Sequence, residues 1–191
     1  MQQRYQKSHL ARLAVVAALT LSGFQVQADD DGDERSIFSR WGVFSSYGVA
    51  PVEDQLYREE CGSCHMAYPA GFLPPQSWEK LMSGLGNHFG ENAELAAEDR
   101  QQILNYLLDN AAGRTDYRLS NKMIRNAGAA PLRITELPYF RHKHREIPRR
   151  MIKDNPAVGS LSQCNACHGD AEKGRYDEDS VRIPGYGRYE D

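Results

Sequence analysis

Long apolar runs are nearly absent from this 191-residue chain. The one candidate covers residues 13–24, whereas crossing a bilayer takes about twenty residues, so nothing downstream of it reads as a membrane span. Cysteine is scarce too, with four residues and none outside two short clusters. Apolar residues make up 40% of the chain, and less once the N-terminal run is set aside. That leaves little side-chain material for a large core. Internal duplication is missing as well. The two cysteine clusters fall early in one half and late in the other, so the halves do not read as copies.

The clusters are Cys61-Gly62-Ser63-Cys64-His65 and Cys164-Asn165-Ala166-Cys167-His168. C-x-x-C-H is the attachment spacing of c-type haem. Two thiols three positions apart can each add to one vinyl group of a single porphyrin, and the histidine directly after the second then lies beneath the macrocycle, placed to ligate the iron. A four-thiolate zinc site or a pair of redox disulfides would account for the cysteines, but would leave both following histidines unexplained. The expectation is two covalently attached haem c groups, held by Cys61, Cys64, Cys164 and Cys167, with His65 and His168 as proximal iron ligands. Two porphyrins would also supply much of the apolar surface that the side chains lack.

Arg4, Lys7 and Arg12 precede the apolar run, and Val26-Gln27-Ala28 follows it. This is the basic, apolar, small-residue order of a secretory signal peptide. Residues 1–28 are therefore expected to be removed, leaving about 163 residues in the periplasm; an uncleaved anchor is the alternative. Haem c attachment is completed outside the cytoplasm, so export and motif agree. An acidic extension, 29–48, carries Asp29-Asp30-Asp31-Gly32-Asp33-Glu34, a composition that reads as a solubilising tail. Residues 29–112 hold fifteen acidic and five basic side chains, and residues 113–155 hold eleven basic and four acidic. Either these are two ordinary solvated surfaces, or the asymmetry orients a redox partner before contact.

Along the chain, Pro51 can open a helix with Glu53 and Asp54 in its first turn, running into Cys61. The stretch Tyr68-Pro69-Ala70-Gly71-Phe72-Leu73-Pro74-Pro75 cannot be regular helix or central strand, and is expected to wrap one edge of a haem. Ser77 is a good N-cap for a helix with Trp78, Leu81, Met82 and Leu85 on one face. A third helix is expected over 97–111, with Ile103, Leu104, Leu107 and Leu108 as its buried stripe. Helix, C-x-x-C-H, loop, helix, loop, helix resembles the small class I cytochromes c. Gly113 reads as a boundary, giving an N-terminal haem c domain at 49–112 and a C-terminal one at 113–191. The second half should hold short helices and long connections.

Six histidines limit the sixth iron positions. His9 leaves with the signal peptide and two are proximal, so His88, His142 and His144 remain. His88 sits in Leu85-Gly86-Asn87-His88-Phe89-Gly90, where glycines let backbone approach a flat cofactor and a loop can place a ligand. It is the candidate for the first haem. Met82 is its rival, although Met82 also completes an apolar helical stripe. For the second haem, a helix over 138–147 puts Leu137, Phe140, His144 and Ile147 on one face and turns His142 away, which favours His144; an extended segment would leave His142 open.

The chain resembles the bacterial dihaem cytochrome c family whose members donate electrons to a small oxygen-binding monohaem cytochrome. The resemblance is carried by the first haem motif with Met66-Ala67-Tyr68-Pro69 and Leu73-Pro74, by Ser77-Trp78 and His88-Phe89-Gly90, and by His144-Arg145-Glu146-Ile147-Pro148 ahead of the second motif. It implies a mainly α fold, with an N-terminal class I cytochrome c-like helical domain plus a C-terminal haem domain with little regular secondary structure. It also implies bis-histidine haems, and hence electron transfer between redox partners, among them a small monohaem oxygen-binding cytochrome and a membrane-bound donor, with no part for nucleic acid. Two alternatives are a dihaem peroxidase, which needs one iron open to peroxide with acid/base groups above it, and a small dihaem subunit of a periplasmic reductase.

Overall fold

Asp54 starts the first helix of the computed structural model, which describes residues 48–189. The expected signal peptide, and the acidic extension up to residue 47, lie outside the described residues. The Asp54 carboxylate accepts a hydrogen bond from the Tyr57 N–H at 2.7 Å, satisfying one of the orphan donors of a helix start. Helix α1 therefore runs Gln55–Cys61, not from Pro51, and the acid expected in the first turn caps the helix from outside. Gly62 closes it, its N–H donating to the Arg58 carbonyl.

Helix α2 spans Pro75–Ser83 with Pro75 in its first turn, where a fixed φ and a missing N–H cost nothing. That proline displaces the start from the expected Ser77 cap, and Ser77 lies inside the helix, fully buried. Trp78 and Met82 are buried as the helical spacing requires, with Leu81 packed at their margin, whereas Leu85, expected on the same face, lies beyond the end of α2 and is buried from the 3₁₀ turn Leu85–Asn87. The indole N–H of Trp78 donates to the Ala70 carbonyl at 2.8 Å in a buried setting. This ties α2 to the proline-rich stretch before it, which forms a buried 3₁₀ turn at Ala70–Phe72. Trp78→Phe removes that bond and leaves the carbonyl only its longer one from the Leu73 N–H at 3.4 Å, and should cost the holoprotein about 0.5–1.5 kcal/mol in denaturant unfolding.

Helix α3, Ala97–Asp109, packs on α2. Glu98 and Asp99 occupy its first turn, Ile103 and Leu107 are completely buried, and Leu104 and Leu108 lie against the core. It stops short of residue 111: the Asn110 N–H and side-chain amide both donate to the Tyr106 carbonyl, and the Ala112 N–H goes to the Leu73 carbonyl instead. Helix α4, Arg118–Ile124, crosses Gly71 so closely that a Cβ there would sit 2.4 Å from Ser120 Oγ. Only glycine permits that approach.

Helix α5, Pro138–His144, is three residues shorter than the expected 138–147 and leaves Ile147 in the following turn. Helix α6 is the single turn Cys164–Cys167. A short antiparallel hairpin that the sequence reading did not foresee, β1 (Arg182–Ile183) and β2 (Gly187–Arg188), sets Arg182 opposite Arg188. The rest of the second half is connected by 3₁₀ turns and irregular chain. The fold is thus mainly helical, with little regular structure toward the C-terminus. No helix among the described residues is long and apolar enough to cross a membrane.

The main core joins Val49, Phe72, Trp78, Ile103 and Leu107 from the first half to Met123, Ile134, Leu137 and Phe140 from the second. A smaller cluster gathers Ile152, Val158, Val181 and Ile183. At one edge the Val49 N–H donates to the Gly174 carbonyl. Gly174 has φ +74°, and a Cβ on it would lie 2.0 Å from the Val49 carbonyl oxygen, so this junction of distant segments requires glycine.

Candidate haem centres

Helix α1 delivers Cys61 at its C-terminal end, half-buried, and the turn that follows leaves Cys64 exposed before His65. The His65 Nδ1 lies 2.8 Å from the Met66 carbonyl. Used as a donor, that nitrogen leaves Nε2 available. Facing the His65 ring at 6.3 Å between centroids, with 27° between planes, is His88. His88 caps the 3₁₀ turn Leu85–Asn87, and its backbone exchanges two hydrogen bonds with Glu91 at 2.7 and 3.3 Å. Met82, the rival candidate, is buried in the apolar core beside Trp78.

Three further residues surround this centre, of which the sequence offers only Tyr68, in the stretch expected to wrap one edge of a haem. Tyr68 stacks on the outer side of His65 at 4.7 Å and 19°. Phe89, next to His88, adopts φ +58° and remains 43% exposed. The guanidinium of Arg133 covers its ring at 3.9 Å, a cation–π contact that shields the aromatic face. Nothing in one-dimensional spacing signals these contacts, because they join separate turns.

The second centre surrounds a cavity of about 430 Å³, within the range of ligand sites. Cys164, Cys167 and His168 line one side and Phe140, His144 and Ile147 another, with Ile152, Val158, Val181 and Ile183 beneath. The rings of His144 and His168 are 6.2 Å apart and cross at 67°. His144 is held twice by Phe140, whose ring stacks on it at 3.9 Å and 10° and whose carbonyl lies 2.8 Å from Nδ1. On the same helix His142 points outward, with its Nδ1 3.0 Å from Arg145. Tyr176 packs between His168, at 5.3 Å, and Phe72, at 5.2 Å. The ion pair of Lys143 with Glu178, at 2.7 Å, joins α5 to the segment beyond His168.

Burial keeps the chemistry of these groups uniform. Desolvation pulls His168 down to about 4, assisted by the neighbouring His144 and opposed by Glu178. It lowers His88 as well, with His65 and Arg133 adding to the effect. Neutral imidazole is the form that binds a metal. Before haem is attached, burial also pushes the Cys61 and Cys164 thiols up to about 11, and it pushes Tyr68 up to about 12, so that Tyr68 remains a hydrogen-bond donor.

The histidine separations fit one metal between each pair. A metal–nitrogen bond of about 2 Å, with roughly 1.1 Å from nitrogen to ring centre, places two imidazoles on opposite sides of one ion at about 6.2 Å. Nδ1 of both His88 and His168 is buried without a hydrogen-bond partner, the mark of a polar site shaped around something more than protein. Each pair has its C-x-x-C directly before one of the two histidines, and the second encloses an apolar slot. These donor sets suit haem c.

A family profile described as dihaem cytochrome c matches residues 57–176. The chain is similar in structure to a diheme cytochrome type c from Shewanella baltica OS155, at 47% identity over 71% of this chain and 97% of that one, with a TM-score of 0.59. It is similar also to a diheme cytochrome c from Rhodobacter sphaeroides, at 44% identity over 67% of this chain and all of that one, with a TM-score of 0.60. A comparison with curated proteins found no match. The match covers both attachment motifs and both histidine pairs, and the chain belongs to the dihaem cytochrome c family, carrying two covalently attached haem c groups.

Proposed function

We propose that this protein is a periplasmic electron carrier whose two irons are each held between two histidines, His65 with His88 and His144 with His168. The observation that carries the reading is the pair of facing imidazoles, at 6.3 and 6.2 Å. Cys61 and Cys64 attach the first haem and Cys164 and Cys167 the second. The haems supply the ferrous–ferric couple. The chain holds both axial positions closed to small oxidants, orients each imidazole through Tyr68 or Phe140, and keeps water from the second centre with an apolar wall. Histidine at both positions lowers haem potential relative to methionine. Export by residues 1–28 places the carrier where haem c is attached, and two haem domains meet near Gly113. The partner is a small oxygen-binding monohaem cytochrome, with electrons arriving from a membrane-bound donor.

Near-infrared magnetic circular dichroism of the ferric protein, together with carbon monoxide titration of the ferrous protein at neutral pH, tests this reading. Two low-spin bis-imidazole haems and no carbon monoxide binding are expected. A methionine charge-transfer band would remove one of the assigned ligands. Ready binding of carbon monoxide at either haem would favour the peroxidase alternative.

A further inference from the structure

Tyr68 touches both centres. Its ring lies on His65, and its hydroxyl donates at 2.8 Å to the carbonyl of Ser162, 94 positions away in sequence and two residues before Cys164. Its own carbonyl is held in turn by the buried Tyr57 hydroxyl at 2.8 Å. The side chain is half-buried and anchored at its backbone, its ring and its hydroxyl. No other hydrogen bond described for the chain joins the neighbourhood of one attachment motif so directly to the other.

We propose that Tyr68 is a positioning residue that links the two haem centres, its ring setting the plane of the His65 imidazole and its hydroxyl fixing the segment that leads into Cys164. The inference rests on the ligand pairs assigned above. A ring stacked at 19° opposes rotation of His65 about its bond to the metal, which keeps the imidazole close to the plane of His88. The hydroxyl bond gives the first proximal histidine a short route to the second attachment cysteine, through one aromatic ring, one hydrogen bond and two residues of chain. Rotation of His65 would change the electronic state of the first centre alone. Loss of the hydroxyl would loosen the junction between the centres without moving either ligand pair.

The two functions separate in two variants of the full protein with both haems attached. Near-parallel imidazoles split the iron d-orbitals strongly and give a rhombic ferric resonance signal, whereas crossed ones give a highly anisotropic signal with a large principal g value. The wild type should show one of each, from the pairs at 27° and 67°. Tyr68→Leu should shift the rhombic signal toward the anisotropic type and leave the second signal in place. Tyr68→Phe, which keeps the ring, should retain both signals and slow electron exchange between the haems several-fold in half-reduced samples followed by exchange NMR. A rhombic signal unchanged in Tyr68→Leu overturns the role of the ring. Exchange at the wild-type rate in Tyr68→Phe overturns the link, and does so even if the leucine variant fails to fold. A wild-type protein without two bis-imidazole signals sinks the ligand assignment instead, an outcome distinguishable from failure of either variant.

Discussion

Replacing His144 with alanine should convert one of the two haems from a closed low-spin centre into one that binds carbon monoxide, while His142→Ala leaves the spectrum as it was. The two residues share α5 yet face opposite ways. His144 stacks on Phe140 and faces His168 across 6.2 Å, and His142 lies outward against Arg145. Alanine at 144 opens a gap on the cavity side, where Phe140, Ile147 and Ile152 offer no ligand and Lys143 and Glu178, which also line the cavity, are engaged with each other at 2.7 Å. The other haem, held by His65 and His88, should keep its spectrum, so about half of the total haem responds. His88→Ala should give the mirror result at the first centre. High-spin absorption and carbon monoxide titration read the outcome. A His142→Ala variant that opens an iron would reverse the assignment at the second centre, and a His144→Ala variant that stays closed would show that the ligand comes from elsewhere in the chain.

The second large effect concerns folding without haem. Cys164→Ala with Cys167→Ala should abolish cooperative thermal unfolding of the C-terminal part, followed by circular dichroism. Without the porphyrin, Phe140, Ile147, Ile152, Val158, Val181 and Ile183 around the cavity of about 430 Å³ lose their apolar partner, at about 1.5–3 kcal/mol for each large side chain left exposed. Whole domains are stable by only about 5–15 kcal/mol, so a few such losses are comparable to the entire margin. The cluster of Ile152, Val158, Val181 and Ile183 is too small to offset them. The main core shares Phe72, Met123, Ile134 and Phe140 with the cavity wall, whereas Ile103 and Leu107 of α3 are not part of that wall, so α3 and the α2 that it packs on should keep their helical signal. Native-like cooperative melting of the whole double variant would show that the side chains alone suffice.

Much of this could be seen in one dimension because the relevant chemistry is local. The C-x-x-C-H spacing announces a covalent haem without any fold, since one turn of chain holds both thiols and the first imidazole. Helical stripes were legible for the same reason: Trp78 with Met82, and Ile103 with Leu107, sit one turn apart on a surface that must be buried. The register of α5 is likewise a property of seven consecutive residues, and it is enough to separate His142 from His144. Helix starts were harder. Ser77 and Asp54 are both good caps, and which of them serves depends on a competitor nearby: Pro75 opens α2 three residues earlier than a Ser77 cap would, whereas nothing displaces Asp54.

What the sequence by itself determined is therefore the number of haems, their attachment cysteines and the helical faces, all governed by interactions within a few residues. Tertiary structure alone decided how the imidazoles stand toward each other, at 27° in one centre and 67° in the other, and that Tyr68 reaches Ser162. Those quantities depend on how separate segments pack, through contacts such as Gly71 against Ser120 and Gly174 against Val49. Dense packing selects one arrangement from many that the same local preferences would allow.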